Sequence, residues 1–456
     1  MMTRHLMTAL VAVALCPSAG AQQFVLVPDS YSCSDVTPDG RIVVGWGDGG
    51  VFWWDWKTDP DPVYIGGVWA TAVSDDGLTI LGSAEFPPGS GDSFAAIWTL
   101  ATGWQSLGTL GTCGSNSSPS DLSGDGKVAV GLTWAGCSGQ GFRWTAATGM
   151  QPLAMLANGQ NRAKTTNDDG SVIGGFAQGN FSRTPSLWAG DLTGFAWDAD
   201  ALGEVSGMNN DGTTLLGQWD GQAFILDSVS FTQIGSLNSG WNGCATEISE
   251  DGNLIGGHDF QGLGKQAWLW KQAVGFVSMD DVVLGAGVLD ALPILSVSGM
   301  SDDGNVLVGN SGSLVPVGTP GGFSGYIFEF DTDGTWADLG NGLAGATGVP
   351  ALVGGGPLLP FATVELNLSN ALPGGQGWLV AGLSALNAPF NGGILIPNFD
   401  ALFGPLAIDG AGEIALSSFW PANVPSAFTT YFQYWIPDAT GVQGFAASNG
   451  VSATTP

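Results

Sequence analysis

Between residues 36 and 309 the chain repeats one short phrase seven times: an apolar run, Asp-Gly, then a second apolar run closed by a glycine six residues after the Asp. The copies read VTPDGRIVVG, VSDDGLTILG, LSGDGKVAVG, TNDDGSVIGG, MNNDGTTLLG, ISEDGNLIGG and MSDDGNVLVG. Their turn pairs are Asp39-Gly40, Asp76-Gly77, Asp125-Gly126, Asp169-Gly170, Asp211-Gly212, Asp251-Gly252 and Asp303-Gly304. A unit that recurs every 37 to 52 residues buries its apolar face only against neighbouring copies, so the repeat restricts the fold before any motif is considered.

Each copy reads as four strands. Strand a precedes the Asp-Gly pair, which closes a tight two-residue hairpin because such turns need positive φ; Gly takes it freely and Asp tolerates it. Strand b follows the turn, strand c carries a large apolar pair such as FWW from Phe52 or WLW from Trp268, and strand d is a further short run such as GWQS from Gly103. The 3.6-residue periodicity of a helical solenoid is missing. The expected fold is therefore all-β, a seven-bladed β-propeller followed by a small immunoglobulin-like β-sandwich. FVLV at 24–27 could close the ring by pairing into the last blade, although TWADLG at 335–340 already offers the seventh copy a fourth strand.

Composition agrees with many short strands: 74 Gly and 19 Trp stand beside only 11% charged residues, and the 44% apolar content excludes a mainly disordered chain. Residues 1–21 have a basic start, an apolar stretch and Ala19-Gly20-Ala21, the pattern of a secretory signal peptide cleaved near Ala21. No later stretch is apolar enough to span a bilayer, so a secreted or cell-surface location is expected. The net charge of −30 argues against nucleic acid and anionic lipid as partners and reads as solubility outside the cell or attraction of Ca²⁺ or cationic surfaces; an extracellular glycan or surface protein is the partner expected. Beyond the leader, the domains expected are a propeller over 22–341, a Gly/Pro-rich linker and sandwich entry over 342–360, and a sandwich over 361–456. Of the remaining cysteines, Cys113 and Cys137 fall on one face of the third copy and are expected to form a disulfide. Cys33 and Cys244 belong to copies one and six, too far apart to bridge in a seven-membered ring.

The repeat resembles that of the secreted bacterial HAF family, whose unit runs roughly Ser-x-Asp-Gly, Val-Val-Gly, Ala-Phe-x-Trp, Gly-Met-x-x-Leu-Gly. SGDGKVAVG at 123–131 and GFRWTAATGMQPLA at 141–154 are the nearest match, and the resemblance covers residues 30–340. It implies an extracellular propeller and supplies no catalytic residues. The tail is similar to a C-terminal module of many large secreted bacterial proteins, through NAPFNGGILIPNFD, LFGPLAIDGAGEIALS, YFQYWIPD and GFAASNGVSATTP. That likeness implies an accessory role in export, attachment or adhesion.

No residue set demands a particular chemistry. The repeated Asp residues have a turn role, no carboxylate pair can be singled out for glycoside hydrolysis, and His258 is the single histidine beyond the leader. A sialidase-type site would need three of Arg41, Arg143, Arg162 and Arg183 to converge. No cofactor is expected; Asp331 and Asp333 in DTDG are the weak candidates for Ca²⁺. The candidate ligand face lies where strand b enters loops of unequal length, with Trp46, Trp134, Phe176, Trp219 and Phe260 able to stack on sugar rings and Asp48, Asp220 and Asp259 able to accept their hydroxyl protons. The expected function is non-catalytic recognition or structure, with an extracellular carbohydrate-active enzyme using a propeller carboxylate pair, or a purely structural envelope component, as alternatives.

Overall fold

The computed structural model describes residues 23–455 apart from 112–115, 136–137, 180–182, 197–201, 273, 286–292, 313–322, 331–333, 360–361, 422–423 and 426. Residues 1–21, expected from sequence to be a signal peptide, and Cys113, Cys137, Asp331 and Asp333 thus lie outside the described residues. The chain is all-β and divides into two units, Phe24–Asp280 with Leu289–Glu329, and a second built chiefly from Phe330–Pro456.

The repeat unit is propeller-like. Its described residues form seven four-stranded antiparallel sheets, the first made of Ser30–Val36, Ile42–Gly47, Gly50–Asp55 and Val63–Gly66. The corresponding inner strands of the next six are Trp69–Val73, Ser117–Leu122, Asn161–Thr166, Gly203–Met208, Asn242–Ile248 and Ile294–Met300. Apolar layers lie between consecutive sheets: Val44 and Val51 of the first meet Ala70 and Ile80 of the second, and Leu216 and Ala223 of the fifth meet Ala245 and Trp268 of the sixth. The seventh sheet returns to the first through Val306, Val308 and Ile327 against Val36, Val43 and Phe52. Backbone bonds follow the same circuit, as from Asp75 N–H to Gly124 C=O, Glu250 to Asp302, and Asp302 to Pro38.

The fourth strand of the seventh sheet is Gln23–Leu26, whose Phe24 ring stacks on Tyr326 with centroids 5.6 Å apart. TWADLG, the rival for that place, instead pairs with Gly450–Thr454 in the second unit. The boundary therefore falls after Glu329 and not at 341, because the backbone of Thr335–Gly340 is committed to another sheet. The 342–360 segment also departs from the linker reading. Leu343 bridges to Ala447, and Ala351–Gly355 pairs with Thr363–Ser369.

The turns differ in kind from the two-residue hairpin. In all seven copies only the Gly has positive φ, between 68° and 73°. Its N–H bonds the carbonyl three residues back at 2.8–3.0 Å, which is a four-residue turn followed by a left-handed glycine. The Asp acts through its side chain, accepting the N–H two residues on at 2.8–3.1 Å. Where Ser or Thr stands two before the Asp, its hydroxyl donates to that carboxylate at 2.6–2.8 Å.

The glycine that closes each copy has a steric cause. A Cβ on Gly45, Gly82, Gly131, Gly175, Gly217, Gly257 or Gly309 would lie 1.9–2.5 Å from a carbonyl oxygen of the adjoining inner strand, always that of the residue seven before the Asp. Each inner strand also carries a β-bulge two residues further on.

The second unit has a six-stranded and a three-stranded sheet sharing one core, with Leu352, Val364, Leu366 and Leu368 facing Leu379, Phe432, Tyr434 and Val451. Alternation along Thr429–Pro437 is observed, and the opposite face is buried too: Trp435 packs with Leu395 of a separate hairpin, Ala385–Phe390 and Gly393–Pro397.

Gly217→Ala, which drives a Cβ to 2.0 Å from the Glu204 carbonyl oxygen, is expected to cost about 3 kcal/mol of stability. Gly103→Ala, at φ +64° with open space around it, is expected to cost about 1–2 kcal/mol. Urea unfolding followed by tryptophan fluorescence checks this order. By the same measurement Phe24→Ala should cost about 2 kcal/mol, roughly half the loss for a fully buried Phe, because its ring is half-buried in the closing strand.

Candidate functional site

The bulges aim one residue of every inner strand at the ring axis. They fall at Ser34, Thr71, Ser120, Lys164, Ser206, Thr246 and Ser298, each skipped by the ladder between its two neighbours. All seven line one cavity of about 860 Å³. The axis is thus encircled by six hydroxyls and one lysine. Four of these hydroxyls are engaged: Thr246 donates to Val297 C=O at 3.2 Å, Thr71 donates to Leu81 C=O at 3.3 Å, Ser298 lies 2.9 Å from Ser296, and Ser206 accepts from the Cys244 thiol at 3.4 Å. Those of Ser34 and Ser120 make no hydrogen bond among the described residues.

The residue after the bulge is acidic in three sheets. Asp35 accepts the N–H of Val73 in the next sheet and of Val36, both at 2.8 Å. Asp121 repeats the arrangement with Thr166 and Leu122 at 2.8 Å. These two carboxyls therefore tie neighbouring sheets together as well as line the cavity. Glu247 makes no such bond among the described residues. Burial, partly offset by the N–H groups it accepts and reinforced by Asp121, pushes Asp35 up to about 8. Burial raises Asp121 as well. Burial and then repulsion from Asp35 and Asp121 hold Glu247 well above the ordinary carboxylate range, with Lys164 acting the other way.

Two further groups give the cavity electrical polarity. Toward the Asp-Gly turns it is lined by Asp75, Asp168 and Asp302; burial and then the charges of Asp75, Asp302 and Glu250 push Asp168 up to about 7. Toward the strand b to strand c hairpins it is lined by Arg162, His258, Phe260 and Lys265. Arg162 forms a two-point ion pair with Glu204 of the next sheet, at 2.6 and 3.1 Å. His258 Nδ1 is buried without a partner, and burial, then Lys265, then Lys164 depress its pKa to about 3, so the ring is neutral.

The residues singled out from sequence are scattered. Phe260 alone among the eight lines the cavity. Trp46 packs on Tyr31 with centroids 5.3 Å apart, and the Tyr31 hydroxyl bonds Asp48. Trp134 is half-buried in Val128–Ala135. Phe176 is buried beneath Arg162 and Arg183, whose guanidinium carbons lie 5.1 and 4.5 Å from its centroid. Trp219 packs edge-on against Phe224 and Phe231 within its own sheet. Asp220 holds a turn at φ 47° and accepts the Leu202 N–H at 3.1 Å. Asp259 is fully buried, accepting the Trp268 indole N–H at 2.8 Å and the Asn238 N–H at 2.6 Å. Cys33 and Cys244 are both free buried thiols. Among the described residues no group of three or more His, Cys, Asp or Glu is arranged to hold a metal ion.

The axial ring was missed although its signal is in the sequence. Aligning the copies five residues ahead of the Asp gives Ser, Thr, Ser, Lys, Ser, Thr and Ser, a column that is polar in every copy.

No family model matches the chain, and no curated protein does. Among solved structures it is similar to a putative TolB from Agrobacterium tumefaciens, at 13% identity over 68% of this chain and 99% of that one with a TM-score of 0.37. It is similar also to an oligogalacturonate lyase from Vibrio parahaemolyticus, at 11% identity over 69% and 99% with a TM-score of 0.44. A prolyl endopeptidase gives 13% identity over 89% and 61% with a TM-score of 0.43. At these values the likenesses carry no argument about this chain.

Asp35 binds its proton more tightly folded than unfolded. The stability this confers is full below its unfolded value of 3.8 and is lost as pH rises through about 8. The stability of the unsubstituted protein minus that of Asp35→Asn is therefore expected to fall between about pH 4 and 8, by at most roughly 1.4 kcal/mol per pH unit, and to level off above that. Urea titrations across this range check it, and parallel profiles for the two proteins contradict it.

Proposed function

We propose that this chain is a seven-bladed β-propeller acting as a secreted or cell-surface recognition protein, which holds a polyhydroxylated ligand, the end or a side branch of a glycan, in its axial cavity. The observation that carries the reading is the ring of six hydroxyls and Lys164 placed at the axis by the seven bulges. Serine and threonine both donate and accept, so the ring can match sugar hydroxyls whichever way these are turned. The cavity volume lies within the range of small-molecule sites. The signal-peptide pattern and the acidity of the chain support an extracellular setting. The tail's two sheets around one core support an accessory module, read as immunoglobulin-like.

A second reading, a carbohydrate-active enzyme, is favoured by one observation: Glu247 lines the cavity with no hydrogen bond among the described residues, and burial raises its pKa. A carboxylic acid in that state is suited to protonating a leaving oxygen.

Glycan-array and pull-down measurements on the full chain should show selective binding. Ser120→Val and Ser206→Val should weaken it at least tenfold, while Trp46→Ala and Trp219→Ala leave it within about twofold. The reverse pattern moves the site to the loop face, and absence of glycan binding overturns the proposal. Reducing-end release that disappears in Glu247→Gln decides for the enzyme.

A further inference from the structure

The chain has ten Lys and Arg residues against 40 acidic ones, and one of the ten, Arg4, lies in the leader segment. Three of the remaining nine, Arg162, Lys164 and Lys265, line the axial cavity. Arg162 is neutralised by Glu204. Lys164 and Lys265 lie within salt-bridge distance of no carboxylate among the described residues, although seven acidic residues line the same cavity and Asp121 and Glu247 feel the charge of Lys164. The two lysines repel one another and both disfavour a charge on His258, whose Nδ1 is buried on the same wall without a partner. Lys265 is exposed and Lys164 half-buried, so both ammonium groups are open to a ligand, and the buried Nδ1 of His258 is a group to which a ligand would give the hydrogen bond it lacks.

Resting on the glycan reading, we infer that the ligand is an acidic sugar, a hexuronate unit whose carboxylate lies between Lys164, Lys265 and His258 while its hydroxyls meet the axial ring. The charges fix its direction. Asp75, Asp168 and Asp302 line the opposite end and repel a carboxylate, so the acid group points toward the strand b to strand c hairpins. A singly charged carboxylate also suits this wall better than a phosphate dianion, because Glu247 and Asp121 lie close enough to Lys164 to share its field. Phe260, beside His258 with ring centroids 6.1 Å apart, offers an apolar surface at that end.

The test is calorimetric titration of the full chain with glucuronate and galacturonate oligomers, the matching neutral oligomers, acetate and inorganic phosphate. The uronates are expected to bind at least tenfold more tightly than their neutral counterparts. Lys265→Gln and Lys164→Gln should bring that ratio close to one, while Lys127→Gln, at an exposed turn, leaves it unchanged. Lys265 belongs to an exposed stretch beside its hairpin, so its variant serves as the folding-neutral probe if Lys164→Gln does not fold. Equal affinity for acidic and neutral oligomers overturns this inference and leaves the glycan reading standing. Acetate or phosphate binding as tightly as the uronates overturns the sugar part, and binding of none of them overturns both.

Discussion

The repeat unit depends on one contact made seven times: the glycine that closes strand b lies against a carbonyl of the inner strand, so close that no β-carbon can be accommodated. With that carbonyl drawn in, the inner strand gains a residue relative to its partner, and the bulged residue turns toward the axis. A serine, threonine or lysine facing the axis and a glycine facing a carbonyl are therefore two consequences of one backbone geometry. The turn beyond belongs to the same construction, since its left-handed Gly and its Asp acceptor fix where strand b restarts and hence the register that brings glycine and carbonyl together.

Ring closure carries this geometry around the axis. A propeller-like unit needs its last sheet to meet its first, and the chain does so with an N-terminal strand, so that Phe24 stacks on Tyr326 and Asp302 bonds Pro38. Asp35 and Asp121 add ties between neighbouring sheets beside the axial cavity. Their cost is burial of acidic groups, which the protein meets by binding protons more tightly. The outcome is a cavity with protonatable acids and Lys164 at its middle, acids at one end and Arg162, His258 and Lys265 at the other.

Much of the fold was legible. Seven Asp-Gly signals, apolar runs on either side and the aromatic strand c define seven four-stranded units, and the alternation in 428–436 marks a sheet in the tail. The boundary was not legible, because TWADLG has the composition of a fourth strand and only its pairing with Gly450–Thr454 shows where it belongs. The site was legible only in part. Aromatic residues after strand b drew attention to the loop face, yet Phe176 and Trp219 pack within and between sheets, and Asp259 answers the needs of Trp268 and Asn238. A lone aromatic or carboxylate in a sequence does not reveal whether a neighbour consumes its bonding capacity. A column that is polar in all seven copies is the stronger sign, since a repeated position keeps its surroundings from copy to copy.

The sequence by itself determined the repeat, its number, its all-β character and the position of each turn, because these follow from local chemistry: glycine at positive φ, Asp as acceptor, alternating apolar residues. Only the tertiary structure decided which strand completes the seventh sheet, where one unit ends, and that seven distant residues face one axis. Those outcomes depend on pairing and ring closure between segments up to about 300 residues apart, such as Gly325 N–H with the Ser30 hydroxyl, and no local rule encodes which partner prevails.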